Sequence, residues 1–188
     1  MKKDIILAGV GGQGILSIAA VIGHAAIRDG LFIKQAEVHG MSQRGGDVVS
    51  HLRLSSAPIA SDLIPRGGAD IIISLEPMEA LRYLPFLAPD GWIVTNTTPF
   101  VNIPNYPDQE ALLAELRGRR NVILVDVDAA AKAAGNPRGA NIALLGACSG
   151  ILGIDADKLE TGIRELFAAK GDALVEANLA AFRAGRSA

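Results

Sequence analysis

Asp4-Ile5-Ile6-Leu7-Ala8-Gly9-Val10, continued by Gly11-Gly12-Gln13-Gly14 and then Ile15-Leu16-Ser17-Ile18, is the stretch that decides the fold. A short apolar run ending in glycines is what a strand buried on both faces of a parallel sheet requires. Beyond the glycines, Ile15, Ile18, Ala19, Ile22 and Ala26 recur at helical spacing, and Gly30 suits a left-handed C-terminal cap. The reading is strand, glycine loop, helix. Glycines at such a junction permit a tight turn, let backbone approach a ligand, and leave helix N–H groups aimed at an anion. Gly9, Gly11, Gly12, Gln13 and Gly14 are therefore candidate cofactor-binding residues. The alternative is a glycine turn that only packs helix against sheet.

The same N-terminus imitates a leader or a membrane span, because no Asp, Glu, Lys or Arg lies between Ile5 and Ile27. Asp4 and the interrupting glycines argue against both, and the protein is expected in the cytoplasm. Of 188 residues, 49% are hydrophobic and 20% charged, which predicts one compact domain over 1–188 rather than disorder. A net charge of -2 and 4% aromatics exclude a phosphate-neutralising or base-stacking surface, so no nucleic acid is expected. Cys148 is the single cysteine, which rules out an internal disulfide, a Cys-ligated cluster or a Cys-based metal site within the chain.

Working outward, 31–38 reads as a weaker second strand. In 47–54, Val48, Ser50, Leu52 and Leu54 share one face opposite Val49, His51 and Arg53, and the polar second face suggests an edge or a half-covered position. Runs at 69–75, 91–96 and 121–126 alternate with helical stretches near 77–84 and 109–116. The C-terminal third reads as helices over 141–152, from Asp157, and through Phe182. The expected architecture is α/β, three-layer α/β/α, with a mainly parallel sheet and a Rossmann-like first βα unit.

A second signal is Glu37-Val38-His39-Gly40-Met41-Ser42-Gln43-Arg44-Gly45-Gly46, where glycines let an imidazole, a hydroxyl, an amide and a guanidinium converge. His39, Ser42, Gln43 and Arg44 are candidate ligand contacts, Arg44 through its planar fork for carboxylate or phosphate. Bridging of the loop to the sheet or to a partner chain is an equal alternative. Glu37 is at a spacing suited to a ribose-binding acid. Glu76, at a strand end and helix start, reads mainly as helix-terminal electrostatics. Asp126 and Asp128 could hold a cation or ribose if the strand continues through Asp128, but strand-end aspartates usually cap or turn. Cys148 reads as an inert buried thiol and His24 as a packing residue. Ala143, Gly146, Ala147 and Gly150 form a small-residue face that predicts close helix packing, within the domain or against a subunit. No residue is assigned a catalytic or metal-binding role.

The glycine loop, the segment from Glu37 to Gly46, Val49-Ser50-His51-Leu52-Arg53, Glu76-Pro77 with Glu79-Ala80-Leu81-Arg82, and Asn141 with Leu144-Leu145-Gly146-Ala147 together resemble the small or gamma subunits of 2-oxoacid:ferredoxin oxidoreductases. The wording of 39–46 resembles the indolepyruvate enzymes most. The resemblance implies a non-autonomous enzyme subunit. Its large partner carries thiamine diphosphate and 4Fe-4S clusters, decarboxylates an arylpyruvate or other 2-oxoacid, passes the acyl unit to coenzyme A and sends electrons to ferredoxin. It also implies that the glycine loop or the His39-to-Arg44 segment contacts coenzyme A or substrate. The rival readings are a pyruvate, 2-oxoglutarate or branched-chain member of the family, a stand-alone NAD(P)- or ATP-binding enzyme, and a pure assembly subunit.

Overall fold

A computed structural model describes residues 1–39 and 45–188, with the side chain of His39 outside that description. The elements are β1 (Lys2–Val10), α1 (Ile15–Arg28), β2 (Phe32–His39), β3 (Asp47–Ser55), β4 (Ala69–Ser74), α2 (Pro77–Arg82), β5 (Leu87–Asn96), α3 (Gln109–Arg117), β6 (Val122–Val125), α4 (Val127–Ala133), α5 (Ala140–Cys148), α6 (Ala156–Phe167) and α7 (Asp172–Ser187). Six strands form one sheet in the order β2-β3-β1-β4-β5-β6. β1, β4, β5 and β6 run parallel, while β3 is antiparallel to both β1 and β2. The alternation of the apolar strands explains the layers. Ile5 and Leu7 join the larger core with α1, α4, α5, α6 and α7, whereas Ile6 and Ala8 face a thinner layer that includes Ile64, Tyr83 and Phe86. Ala80, Leu113 and Leu116, from α2 and α3, cover Ile93 on that second side.

The α/β/α expectation is met, with two local departures. Residues 47–55 do not form an edge: β3 lies between β2 and β1, and β2 is the edge strand. The predicted faces of β3 are correct, with Val48, Leu52 and Leu54 in the helical core and Val49 opposite. Its polar residues misled because they are satisfied internally. His51 Nδ1 accepts from Ile64 N at 3.0 Å, and Arg53 Nε donates to Asp4 Oδ1 at 2.7 Å. The antiparallel insertion also separates Glu37 from the glycine loop, so the ribose acid of a dinucleotide-binding fold has no counterpart at that position.

The start of α6 also differs slightly: the helix begins at Ala156 rather than Asp157, and its N-cap Asp155 makes no side-chain capping bond. Gly30 closes α1 at φ 68° as expected. The small-residue face is used inside the domain: a Cβ on Gly146 would lie 2.0 Å from Phe182 O, and one on Gly185 1.8 Å from Ala143 O. Backbone of α5 and α7 is therefore in direct contact. Among the described residues, no helix is long and apolar enough to cross a membrane.

Candidate functional site

The chain leaves β1 toward β3 and β2 on one side, and leaves β4 toward β5 and β6 on the other. The carboxyl ends of β1 and β4 thus flank a topological switch point, where open α/β sheets leave a crevice. The glycine loop fills one side of it. Gly12 (φ 100°) and Gly14 (φ 83°) lie in the left-handed region, which is where the tight turn needs glycine. Gln13 folds back into the loop: its Oε1 accepts from Val10 N at 2.8 Å, and its Nε2 donates to Leu75 O at 3.3 Å. One side chain therefore ties the loop to the end of β4, and it is held for structure rather than left to a ligand. Gly11 N donates to Gly46 O at 2.8 Å, fastening the loop to the turn before β3.

Helix α1 opens with no side-chain cap, so its first N–H groups lack a capping partner from Gly14. Helix α5 likewise begins without a side-chain cap at Gly139, and Asn141 Nδ2 donates to Gly14 O at 3.1 Å. The two helix N-termini are joined at the loop. A cleft of about 350 Å³ lies beside them, walled by Gln13, Leu75, Asn96, Phe100, Asp128 and Ala140, among others. On the other side of the loop, Val10, Ile15, Leu16 and Val48 line a shallower apolar hollow of about 280 Å³.

The far wall of the cleft is polar and internally braced. Asn96 Oδ1 accepts from Val127 N at 3.2 Å, and Asn96 Nδ2 donates to Asp128 Oδ2 at 2.9 Å. Asp126 caps α4 by accepting from Ala129 N at 2.9 Å, so the strand stops at Val125 and the capping expectation for that residue is correct. Below, Glu76 is fully buried and caps α2, accepting from Glu79 N at 2.8 Å. Its Oε1 also accepts from Phe100 N at 3.4 Å and from the Tyr106 hydroxyl. Burial, and then the bond to Glu76, push the Tyr106 phenol up, which keeps it a neutral donor.

Glu79, nearly buried, pairs with Arg82 at 2.8 Å; burial raises its carboxyl against the opposing pull of Arg82. Burial and the neighbouring Asp47 push the Tyr83 phenol up to about 12.

Gly9, Gly11, Gly12, Gln13 and Gly14 come together at this crevice. His39 ends β2 opposite Val48 of β3, and Val48 in turn pairs with Gly9 of β1, while Ser42, Gln43 and Arg44 lie outside the described residues. Cys148 is buried, donates to Leu145 O at 3.2 Å and has its thiol pushed up to about 12 by burial, as its apolar neighbours predicted. His24 is instead half exposed, 3.6 Å from Glu165. Sequence reading missed Asn96, Asn141 and Tyr106 as members of the site. A polar residue closing the apolar run of β5 was the available signal for Asn96. Nothing local marks Tyr106, whose partner is 30 residues away.

Residues 4–188 match the family described as pyruvate ferredoxin/flavodoxin oxidoreductase. The chain is 37% identical to the indolepyruvate oxidoreductase subunit IorB of Archaeoglobus fulgidus, over 98% of this chain and 94% of the relative. The pyruvate oxidoreductase subunit PORC of Thermotoga maritima has a similar fold at TM-score 0.76 and 19% identity, covering 99% of this chain and 96% of that one. A 2-oxoglutarate:ferredoxin oxidoreductase from Magnetococcus marinus, with 2-oxoglutarate, coenzyme A and succinyl-CoA bound, aligns at TM-score 0.77 and 22% identity. That alignment covers 99% of this chain but 30% of the other. At these identities the two structures speak to the fold alone.

Proposed function

Because this chain belongs to the pyruvate ferredoxin/flavodoxin oxidoreductase family, we propose that it is the small subunit of an indolepyruvate:ferredoxin oxidoreductase in the cytoplasm. The observation that carries this reading is the 37% identity to an indolepyruvate oxidoreductase subunit over nearly the whole of both chains. In the assembled enzyme an arylpyruvate loses carbon dioxide, its acyl carbon forms a thioester with coenzyme A, and the two electrons released reduce ferredoxin. The large partner subunit holds thiamine diphosphate and 4Fe-4S clusters, which supply the decarboxylation and the electron path. An iron–sulfur cluster takes several thiolates, whereas this sequence has one cysteine, buried in α5, which supports placing the clusters on the partner.

The part assigned to this chain is to bind coenzyme A and orient it toward the partner. The crevice suits that group: uncapped N–H groups at the start of α1 fit a diphosphate, and the cleft beside them accepts the less charged arm. Gly9, Gly11, Gly12, Gln13 and Gly14 shape this surface. His39, Ser42, Gln43 and Arg44 are proposed to contact coenzyme A or the substrate, Arg44 by pairing with phosphate.

Purification of the chain from its native cell tests the assembly, with a large thiamine-dependent iron–sulfur chain expected to co-elute. Coenzyme A titration of the complex carrying Arg44→Ala tests the site. The expected result is a raised KM for coenzyme A, and unchanged constants for both substrates would remove the loop from the site. Tight binding of NAD or ATP by the isolated chain in calorimetry would favour a stand-alone nucleotide enzyme instead.

A further inference from the structure

Between Asn96, which ends β5, and Gln109, which starts α3, the chain crosses the crevice without regular structure, and Thr98, Pro99 and Phe100 form part of the cleft wall. Long irregular connections in compact domains are usually functional. This one is not held by an apolar underside, since Phe100, Val101 and Ile103 are all exposed. Its attachments among the described residues are polar: Thr97 N donates to Val125 O at 3.0 Å, Asn96 Nδ2 donates to Thr98 O at 3.3 Å, and the Tyr106 hydroxyl also meets the backbone of Met78. Asn102 donates to Gly45 O, Gln109 Nε2 donates to Thr97 O at 3.3 Å, and the Phe100 amide and the Tyr106 hydroxyl both donate to Glu76 Oε1.

The other oxygen, Oε2, is committed to Glu79 N as the cap of α2. A glutamate side chain has two oxygens and can serve these three donors at once, which an amide with one oxygen cannot. The two oxygens of one buried side chain therefore do separate jobs: one fixes a helix that belongs to the scaffold, the other fixes the wall of the cleft.

We propose that Glu76 is a positioning residue for the cleft, and that through Oε1 it sets segment 97–108, and with it Phe100, where bound coenzyme A meets the wall. The inference rests on the reading of the cleft as the coenzyme A surface. A wall held in place before the ligand arrives spares the ordering cost that binding would otherwise carry. The consequence is specific: loss of the Oε1 contacts weakens coenzyme A without touching the chemistry on the partner chain.

The test uses the assembled two-chain enzyme with Tyr106→Phe, Glu76→Asp and their combination. Phenylalanine removes only the hydroxyl. Aspartate keeps an N-cap oxygen but is a methylene too short to serve both ends. Each variant is expected to raise the KM for coenzyme A about three- to ten-fold, the range for one lost hydrogen bond. The KM for the 2-oxoacid and kcat should stay within about two-fold, and the double variant should be no worse than the larger single one, as coupled residues require. An unchanged coenzyme A KM in Tyr106→Phe, or parallel losses for both substrates with a lowered melting temperature, overturns the proposal. Gly12→Ala and Arg44→Ala are measured alongside. If they shift the coenzyme A constant and Tyr106→Phe does not, the role of Glu76 alone fails. If none of the variants shifts it, the assignment of coenzyme A to the cleft fails as well.

Discussion

The side-chain amide of Asn141 donates to the carbonyl of Gly14 at 3.1 Å, joining the first residues of α5 to the loop before α1 across 127 positions of sequence. A Cβ on Gly14 would lie 2.7 Å from that same amide nitrogen, and the residue sits at φ 83°. Gly14→Ala therefore meets both backbone strain and a clash. It is expected to cost about 1–3 kcal/mol in chemical denaturation. Asn141→Ala leaves the clash partner out and should cost about 1 kcal/mol. The double variant should recover part of the Gly14→Ala loss, because the clash is with the side chain removed.

Between α5 and α7, Gly185 admits the carbonyl of Ala143 to a place where any Cβ would be 1.8 Å away. No rotamer relieves a backbone clash. Gly185→Ala is expected to separate the two helices and to cost about 3 kcal/mol or more, read as a lowered urea midpoint or loss of soluble protein. Gly150→Ala, on the same small-residue face but with open space around it, should cost little beyond a change in local propensity.

His51 provides a pH dependence. Burial, and then the positive charge of Arg53, lower its pKa from the usual 6.5, and its Nδ1 must be unprotonated to accept from Ile64 N. The unfolded chain takes up a proton at this residue in a pH range where the folded chain does not. Its contribution to stability is therefore fully present above pH 6.5, declines as the pH falls below 6.5, and levels off below the depressed folded value. Urea midpoints should fall between pH 7.5 and 5.5 in the natural protein, and this part of the slope should vanish in His51→Asn.

The Cys148 thiol, buried and pushed up to about 12, should resist thiol-specific reagents in the native protein at mildly alkaline pH. One thiol per chain should react on addition of guanidinium. Prompt labelling of the native chain would show that α5 opens locally.

Much of the fold is legible along the chain because its decisive features are local. The apolar runs of β1, β4 and β5, the glycines after β1 and Pro77 at the start of α2 each carry their own signal within a few residues. The position of β3 is not local. Whether 47–55 lies at an edge depends on which strand it pairs with, and its polar residues look solvated until Asp4 and the segment near Ile64 are seen to satisfy them. The site divides in the same way. The glycine loop is a contiguous motif, whereas Asn96 with Asp128, Asn141 with Gly14 and Glu76 with Tyr106 are pairings made by topology. The small-residue face of α5 was correctly read as a place of close approach. The sequence could not say that the approaching backbone is α7 rather than another subunit.

The jammed contact of α5 with α7 makes the two sides of the sheet mechanically unequal. Interlocked carbonyls and glycines keep α5 from sliding along α7, so these two helices are expected to move as one body. The cleft borders this pair at Ala140 and the crossing segment at Phe100, so its two walls are unequally held.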